Sequence, residues 1–195
     1  MTRDLLTEID DALPQTQCRQ CGHAGCAAYA RAIAAGEAIN RCPPGGAAGI
    51  AELARLTGRE ALPLDPDYGT EAPFAVAEID ASRCIGCRFC ARACPTDAVT
   101  GAPKRLFAVI ASYCTGCALC LPVCPMDCIR MTEVDHAWDR EDALRARARF
   151  ARKNERLARR AAEQSQLSEE SAANKASVMS SLSAILAARR AKARS

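Results

Sequence analysis

Residues 84–95 read CIGCRFCARACP, and residues 114–125 read CTGCALCLPVCP. Cys84, Cys87, Cys90, Cys94 and Pro95 recur 30 residues later as Cys114, Cys117, Cys120, Cys124 and Pro125. The repeat is wider than its cysteines. Gly86 recurs as Gly116, Asp97 as Asp127 and Val99 as Ile129, and an apolar stretch precedes each run (FAVAEID from residue 74, LFAVIAS from residue 106). This self-similarity predicts a duplicated unit of strand, cysteine loop, short helix and strand over residues 74–135.

The spacing within each run, C-x2-C-x2-C-x3-C-P, is that of bacterial ferredoxins with two [4Fe–4S] clusters, in which the fourth cysteine of each run serves the other cluster. Three thiols two residues apart on a tight loop can face three corners of one cubane. The fourth opens a helix aimed across the pseudo-twofold, and the following proline suits a first helical turn, where no N–H is needed. Gly86 and Gly116 allow close backbone approach. One cluster is therefore expected on Cys84, Cys87, Cys90 and Cys124, and another on Cys94, Cys114, Cys117 and Cys120. Zinc ribbons instead pair two short knuckles across a longer gap, which fits four cysteines in eleven residues less well.

Upstream, Cys18, Cys21, Cys26 and Cys42 stand in CRQCGHAGC and NRCPPGG. Four thiolates in this spacing suit zinc or a [4Fe–4S] cluster. Residues 1–58 read as helical. Leu5, Leu6, Ile9 and Leu13 form a stripe ended by Pro14, a second helix is expected near 25–35, and a third runs from the CPPGG turn to Gly58. Residues 59–73, with Pro63, Pro66 and Pro73, read as a linker. Residues 136–195 form a basic helical tail, flexible over the polar stretch 164–177 and closing in an amphipathic helix around Val178, Leu182, Ile185 and Leu186. The fold class is α+β: a small helical four-cysteine domain, a ferredoxin-type dicluster domain, and a helical, partly disordered tail.

The chain has 195 residues, 49% hydrophobic but only 4% aromatic, with 13 cysteines. Small side chains bury little area, so metal is expected to supply part of the stability. No window approaches the roughly 20 apolar residues of a spanning helix, and the charged start, MTRDLLTEIDDALPQ, resembles no signal peptide. The default compartment is then the cytoplasm, where thiols stay reduced and cysteine-rich patterns bind metal. Three clusters at −2 each would take the formal charge from +3 to about −3.

Several stretches carry a family resemblance. LPQTQCRQCGHAGC, AAYARAIAAGEAINRCPPGG, PLDPDYGTEAP, CIGCRFCARACPTDAVTGAPKRLFAVI and CTGCALCLPVCPMDCI follow one another from about residue 5 to residue 134. In that order they resemble the B subunits of Rnf/Rsx-type electron transport complexes. The resemblance implies that Cys18, Cys21, Cys26 and Cys42 also bind a [4Fe–4S] cluster. It further implies one-electron relay through three clusters beside other Rnf/Rsx-type membrane subunits or a redox partner protein. Members of that family begin with a hydrophobic anchor, and the 17 residues before Cys18 here are charged. The expectation is a protein without that anchor, cytoplasmic or peripheral on the cytoplasmic face of the inner membrane.

The remaining residues read plainly. Cys128 is expected to be a small buried hydrophobe, His23 a loop-surface side chain, and Tyr29, Phe89 and Tyr113 packing groups near the cysteines. Trp138–Glu163 carries nine basic and five acidic residues. It reads as a solvated helix, or as a surface for a partner or anionic lipid. Nucleic acid is not expected, because stacking aromatics are lacking. GGAAG at 45–49 is not a phosphate-binding loop. No nucleophile–base pair and no small-molecule substrate site is apparent, so the chain is not read as having an active site of its own. Two other functions fit the same residues: a stand-alone polyferredoxin for another oxidoreductase, and a non-redox interaction protein with structural clusters.

Overall fold

Pro14 ends the first apolar stripe, and in the computed structural model, which describes residues 4–192, the first helix stops just before it. Helix α1 (Leu5–Ala12) is followed by α2 (Cys26–Ala34) and α3 (Gly46–Thr57). Helix α3 closes at Gly58, which takes the left-handed conformation (φ 68°) common after helix C-termini. Ile9 and Leu13, Tyr29, Ala30 and Ile33 of α2, and Ile50 and Leu53 of α3 form one core, into which Cys21, Cys26 and Cys42 also project. Residues 59–73 lie against this region. Asn40 Nδ2 donates to the Pro63 carbonyl at 2.7 Å, Asp65 N–H donates to the Asn40 carbonyl at 2.9 Å, and the Arg41 guanidinium sits 4.9 Å from the Tyr68 ring centroid.

The duplicated region folds as two small antiparallel sheets. Strand β1 (Ala75–Ile79) is followed by α4 (Phe89–Ala93), β2 (Val99–Gly101), β3 (Phe107–Val109) and β4 (Ile129–Glu133). β1 pairs with β4 from Ala75 opposite Glu133 to Ile79 opposite Ile129, and β2 pairs with β3 from Val99 opposite Val109 to Gly101 opposite Phe107. Each sheet thus takes one strand from each copy of the repeat, which interlocks the copies. Gly86 and Gly116 are both left-handed (φ 70° and 68°), and a Cβ on Gly86 would strike the Arg105 backbone. Asp97 and Asp127 are left-handed too (φ 52° and 45°), a conformation aspartate tolerates better than most residues.

One expected element is missing. The helix forms in the first copy only, and residues 119–123 are turn and bend. In α4 the Arg92 N–H donates to the Arg88 carbonyl at 3.1 Å. Pro122 holds the equivalent place in the second copy and has no N–H to give.

The chain divides into two compact units between Lys153 and Asn154. The first holds both cysteine regions and the opening turns of helix α5 (Arg140–Lys192). Those turns are fastened by Trp138, whose Nε1 donates to the Pro14 carbonyl at 2.8 Å. Arg147 adds contacts 3.0 Å from an Asp10 carboxylate oxygen and 2.5 Å from one of Asp11. The second unit is exposed helix. The stretch 164–177, expected to be flexible, is helical, because no glycine or proline interrupts residues 140–192 and Ala, Glu, Gln and Leu favour the helix. Ile185 and Leu186 of the expected terminal stripe lie outside the residues whose side chains are described. Among the described residues, no helix is long and apolar enough to cross a membrane.

Candidate metal centres

The N-terminal loop brings Cys18, Cys21, Cys26 and Cys42 together, all buried. Its shape depends on two buried glutamines. Gln17 Oε1 accepts from the Cys26 N–H at 3.0 Å, and Gln17 Nε2 donates to Gln15 Oε1 at 2.9 Å. Gln15 Nε2 then donates to the Asp10 carbonyl at 2.6 Å. Gln15, Gln17 and Arg19 all take positive φ, so the loop curls through left-handed residues that these side chains pin. Neither glutamine stands out by residue type, although both belong to the QTQC motif. His23 does not join the thiols. Its Nε2 lies 3.1 Å from Glu37 Oε1, and its ring stacks on Tyr29 with centroids 5.2 Å apart.

Burial dominates the chemistry of these thiols. It pushes the Cys26 thiol up to about 12, and the neighbouring Cys18 and Cys21 charges push the same way. Cys42 is raised by burial and then by Cys26, Cys18 and Cys21 together. Without metal such a cavity holds neutral thiols, whereas ligation requires thiolates, so metal binding here releases protons.

In the duplicated region, Cys94 leaves its own run. It lines one apolar cavity with Cys114, Cys117 and Cys120, closed by Ala77, Val99 and Val109. Burial raises Cys120 to about 12, followed by the charges of Cys117, Cys114 and Cys94. Cys84, Cys87 and Cys90 form the second group. Cys124 is linked to it through Cys128, whose thiol is raised by burial and by interactions with Cys124 and Cys84.

Backbone amides face the sulfurs. Ala98 N–H donates to Cys94 Sγ at 3.2 Å, Cys128 N–H to Cys124 Sγ at 3.5 Å, and Ala77 N–H to Cys114 Sγ at 3.4 Å. Ala98 and Cys128 are repeat equivalents. Position 128 therefore requires a backbone N–H and a small side chain, and its buried thiol lies 3.4 Å from Cys124 Sγ. Tyr29 is buried, and its hydroxyl donates to the Ala38 carbonyl at 2.8 Å. Phe89 is 47% exposed and so shields little.

The two cysteine regions touch. Thr115, between Cys114 and Cys117, donates its hydroxyl to the Thr16 carbonyl at 2.8 Å in a buried contact two residues from Cys18.

The donor sets fit iron–sulfur clusters. All twelve expected ligands are thiols, buried or half-buried.

Comparison with known proteins agrees. A family model described as a 4Fe-4S dicluster domain matches residues 77–131, and one described as a putative Fe-S cluster matches residues 13–44. The chain is similar to proteins named as the B subunit of an ion-translocating oxidoreductase complex. It is 58% identical over 131 residues to that of Alkalilimnicola ehrlichii, covering 66% of this chain and 70% of the relative. To that of Azoarcus sp. it is 59% identical over 99 residues, covering 50% and 54%. To that of Pseudomonas aeruginosa it is 55% identical over 127 residues, covering 65% and 66%. Against the relatives from Azoarcus and Thiobacillus denitrificans the match spans about half of their length, 54% and 53%.

Proposed function

The chain belongs to the family of B subunits of ion-translocating oxidoreductase complexes, and from that premise we propose that it relays single electrons through three [4Fe–4S] clusters. Cys18, Cys21, Cys26 and Cys42 hold the first, Cys84, Cys87, Cys90 and Cys124 the second, and Cys94, Cys114, Cys117 and Cys120 the third. The observation that carries this reading is the cavity that Cys94 shares with Cys114, Cys117 and Cys120. A sulfur from one run standing among three of the other is what exchanged ligands require, and two self-contained zinc loops would not produce it.

When bound, a [4Fe–4S] cluster supplies a one-electron couple whose potential its surroundings tune. The chain's own residues provide position, amide donors and exclusion of water. Ala98, Cys128 and Ala77 direct N–H groups at ligand sulfurs, which stabilises the anionic thiolates. The Thr115–Thr16 hydrogen bond joins the loop of the first centre to that of the third. The proposed route therefore runs from the N-terminal centre through the Cys114 centre to the Cys84 centre. In the whole assembly the chain would work beside the other subunits of the complex, at the membrane face.

The test is iron and sulfide counting with electron paramagnetic resonance on anaerobically prepared protein. About twelve irons per chain and signals on dithionite reduction are expected. About eight irons with one zinc would remove the N-terminal centre from the relay. A folded, iron-free protein would overturn the reading altogether.

A further inference from the structure

Arg149 and Lys153 stand one turn apart on α5, and both turn inward. Lys153 is buried, with its ammonium 3.5 Å from the Ala91 carbonyl oxygen, 3.1 Å from that of Arg92, and in contact with that of Cys94. An Asp97 carboxylate oxygen lies 3.5 Å away. Arg149 donates from Nε to the Thr96 carbonyl at 2.7 Å and from Nη2 to the Asp97 carbonyl at 3.3 Å. Its guanidinium also lies 3.5 Å from the Tyr113 ring centroid, next to Cys114. The two cations together hold the carbonyls of residues 91, 92, 94, 96 and 97, which form the loop that delivers Cys94 across the pseudo-twofold.

The repeat supplies an internal comparison. Residues 121–127 present Cys124 in the same way, with the same left-handed aspartate and the same amide-to-sulfur bond. There the cation that donates to a carbonyl is Arg83, an exposed residue, through Nη2 to Met126 at 2.7 Å. Cys124 is half-buried where Cys94 is buried. The two crossing ligands are alike in sequence and unlike in their electrostatic surroundings.

We propose that Lys153 is a positioning residue for the Cys94, Cys114, Cys117 and Cys120 centre: its buried positive charge anchors the Cys94 loop and raises that centre's reduction potential. Reduction adds one negative charge to the centre, with no bond made or broken. A fixed cation in a poorly solvated position favours the reduced state more than a surface cation would. Asp97 opposes it from the same side, so the two residues should move the potential in opposite directions. The inference rests on the ligand assignment proposed above.

The test is a dithionite titration of the full-length, cluster-loaded protein, followed by paramagnetic resonance that separates the two dicluster centres. Lys153→Met keeps the side-chain length and removes the charge. At a fixed ambient potential it should lower the reduced-to-oxidised ratio of the Cys94 centre about tenfold, a shift of about 59 mV to the negative, with a smaller effect on the Cys84 centre. Lys153→Arg should restore most of the ratio, and Asp97→Asn should raise it. Unmoved potentials in Lys153→Met at full iron content would overturn the inference, as would equal shifts from the Met and Arg variants. If Lys153→Met fails to load, Asp97→Asn decides, since a shift to the positive supports the charge argument and no shift refutes it. Failure of the ligand assignment would appear differently, as greater damage to the Cys84 centre than to the Cys114 centre in Cys94→Ser.

Discussion

Cys94 and Cys124 occupy equivalent places in the repeat, and each accepts an N–H from the residue four positions on. In the proposed assignment each serves the other run's centre. Replacing Cys94 by Ser should therefore damage the centre of Cys114, Cys117 and Cys120 more than that of Cys84, Cys87 and Cys90. Cluster-resolved paramagnetic resonance checks this, and the reverse pattern would refute the exchanged assignment. Cys128 has Ala98 as its repeat equivalent, so the amide-to-sulfur bond at this place does not itself need a thiol. Gln15 and Gln17 are both 2% exposed and shape the Cys18–Cys26 loop, a role that neither residue type announces.

Helix α5 begins as part of the cysteine-bearing unit rather than as a solvated appendage. Arg147 reaches Asp10 and Asp11 on α1, and its Nη2 donates to the Asp10 carbonyl at 2.7 Å. Arg147→Met should cost about 1–2 kcal/mol in chemical denaturation of the loaded protein, because part-buried charged hydrogen bonds are lost and two carboxylates keep only other partners. A cost near zero would mean that this end of the helix is held by Trp138 and the buried basic residues alone. The Asp142 carboxyl belongs to the same anchoring turn. Burial would raise it, but the His136 ring at 2.6 Å, the Asp139 N–H and Arg145 hold it below the usual carboxylate range. Its charge is therefore retained through neutral pH. The missing helix in the second copy is decided locally by Pro122, a loss legible in the sequence once the two copies are aligned residue by residue.

At the scale of the molecule, stability and function share one source. Two-stranded sheets are marginal alone, and four of the nine residues in the core of the duplicated region are cysteines. Removing iron should unfold residues 74–135 cooperatively, which circular dichroism would follow; a native-like apo spectrum would contradict the claim. What remains of the helical N-terminal region should then be sensitive to alkali. Burial raises the folded Cys26 thiol to about 12, above its unfolded value of about 8.5. Its contribution to stability is present below that unfolded value and is lost as pH rises toward the folded one. The link between the two cysteine regions can also be cut. Thr115→Val keeps the shape and strands the buried Thr16 carbonyl, so it should cost about 1–3 kcal/mol. It should also slow electron exchange between the N-terminal and Cys114 centres in freeze-quench measurements, and unchanged exchange would argue for another route.

Cysteine spacing alone pointed to [4Fe–4S] chemistry and to the 30-residue repeat, because three thiols two residues apart on a tight loop can face three corners of one cubane. The helices of residues 1–58 were equally legible, since Pro14 and Gly58 act through backbone geometry close at hand. What only the tertiary structure decided were contacts between residues far apart in the chain. These include Thr115 on Thr16, Trp138 on Pro14, and Lys153 on the carbonyls around Cys94. A basic helix looks the same in sequence whether water or a ring of backbone oxygens solvates its charges, and packing alone distinguishes the two.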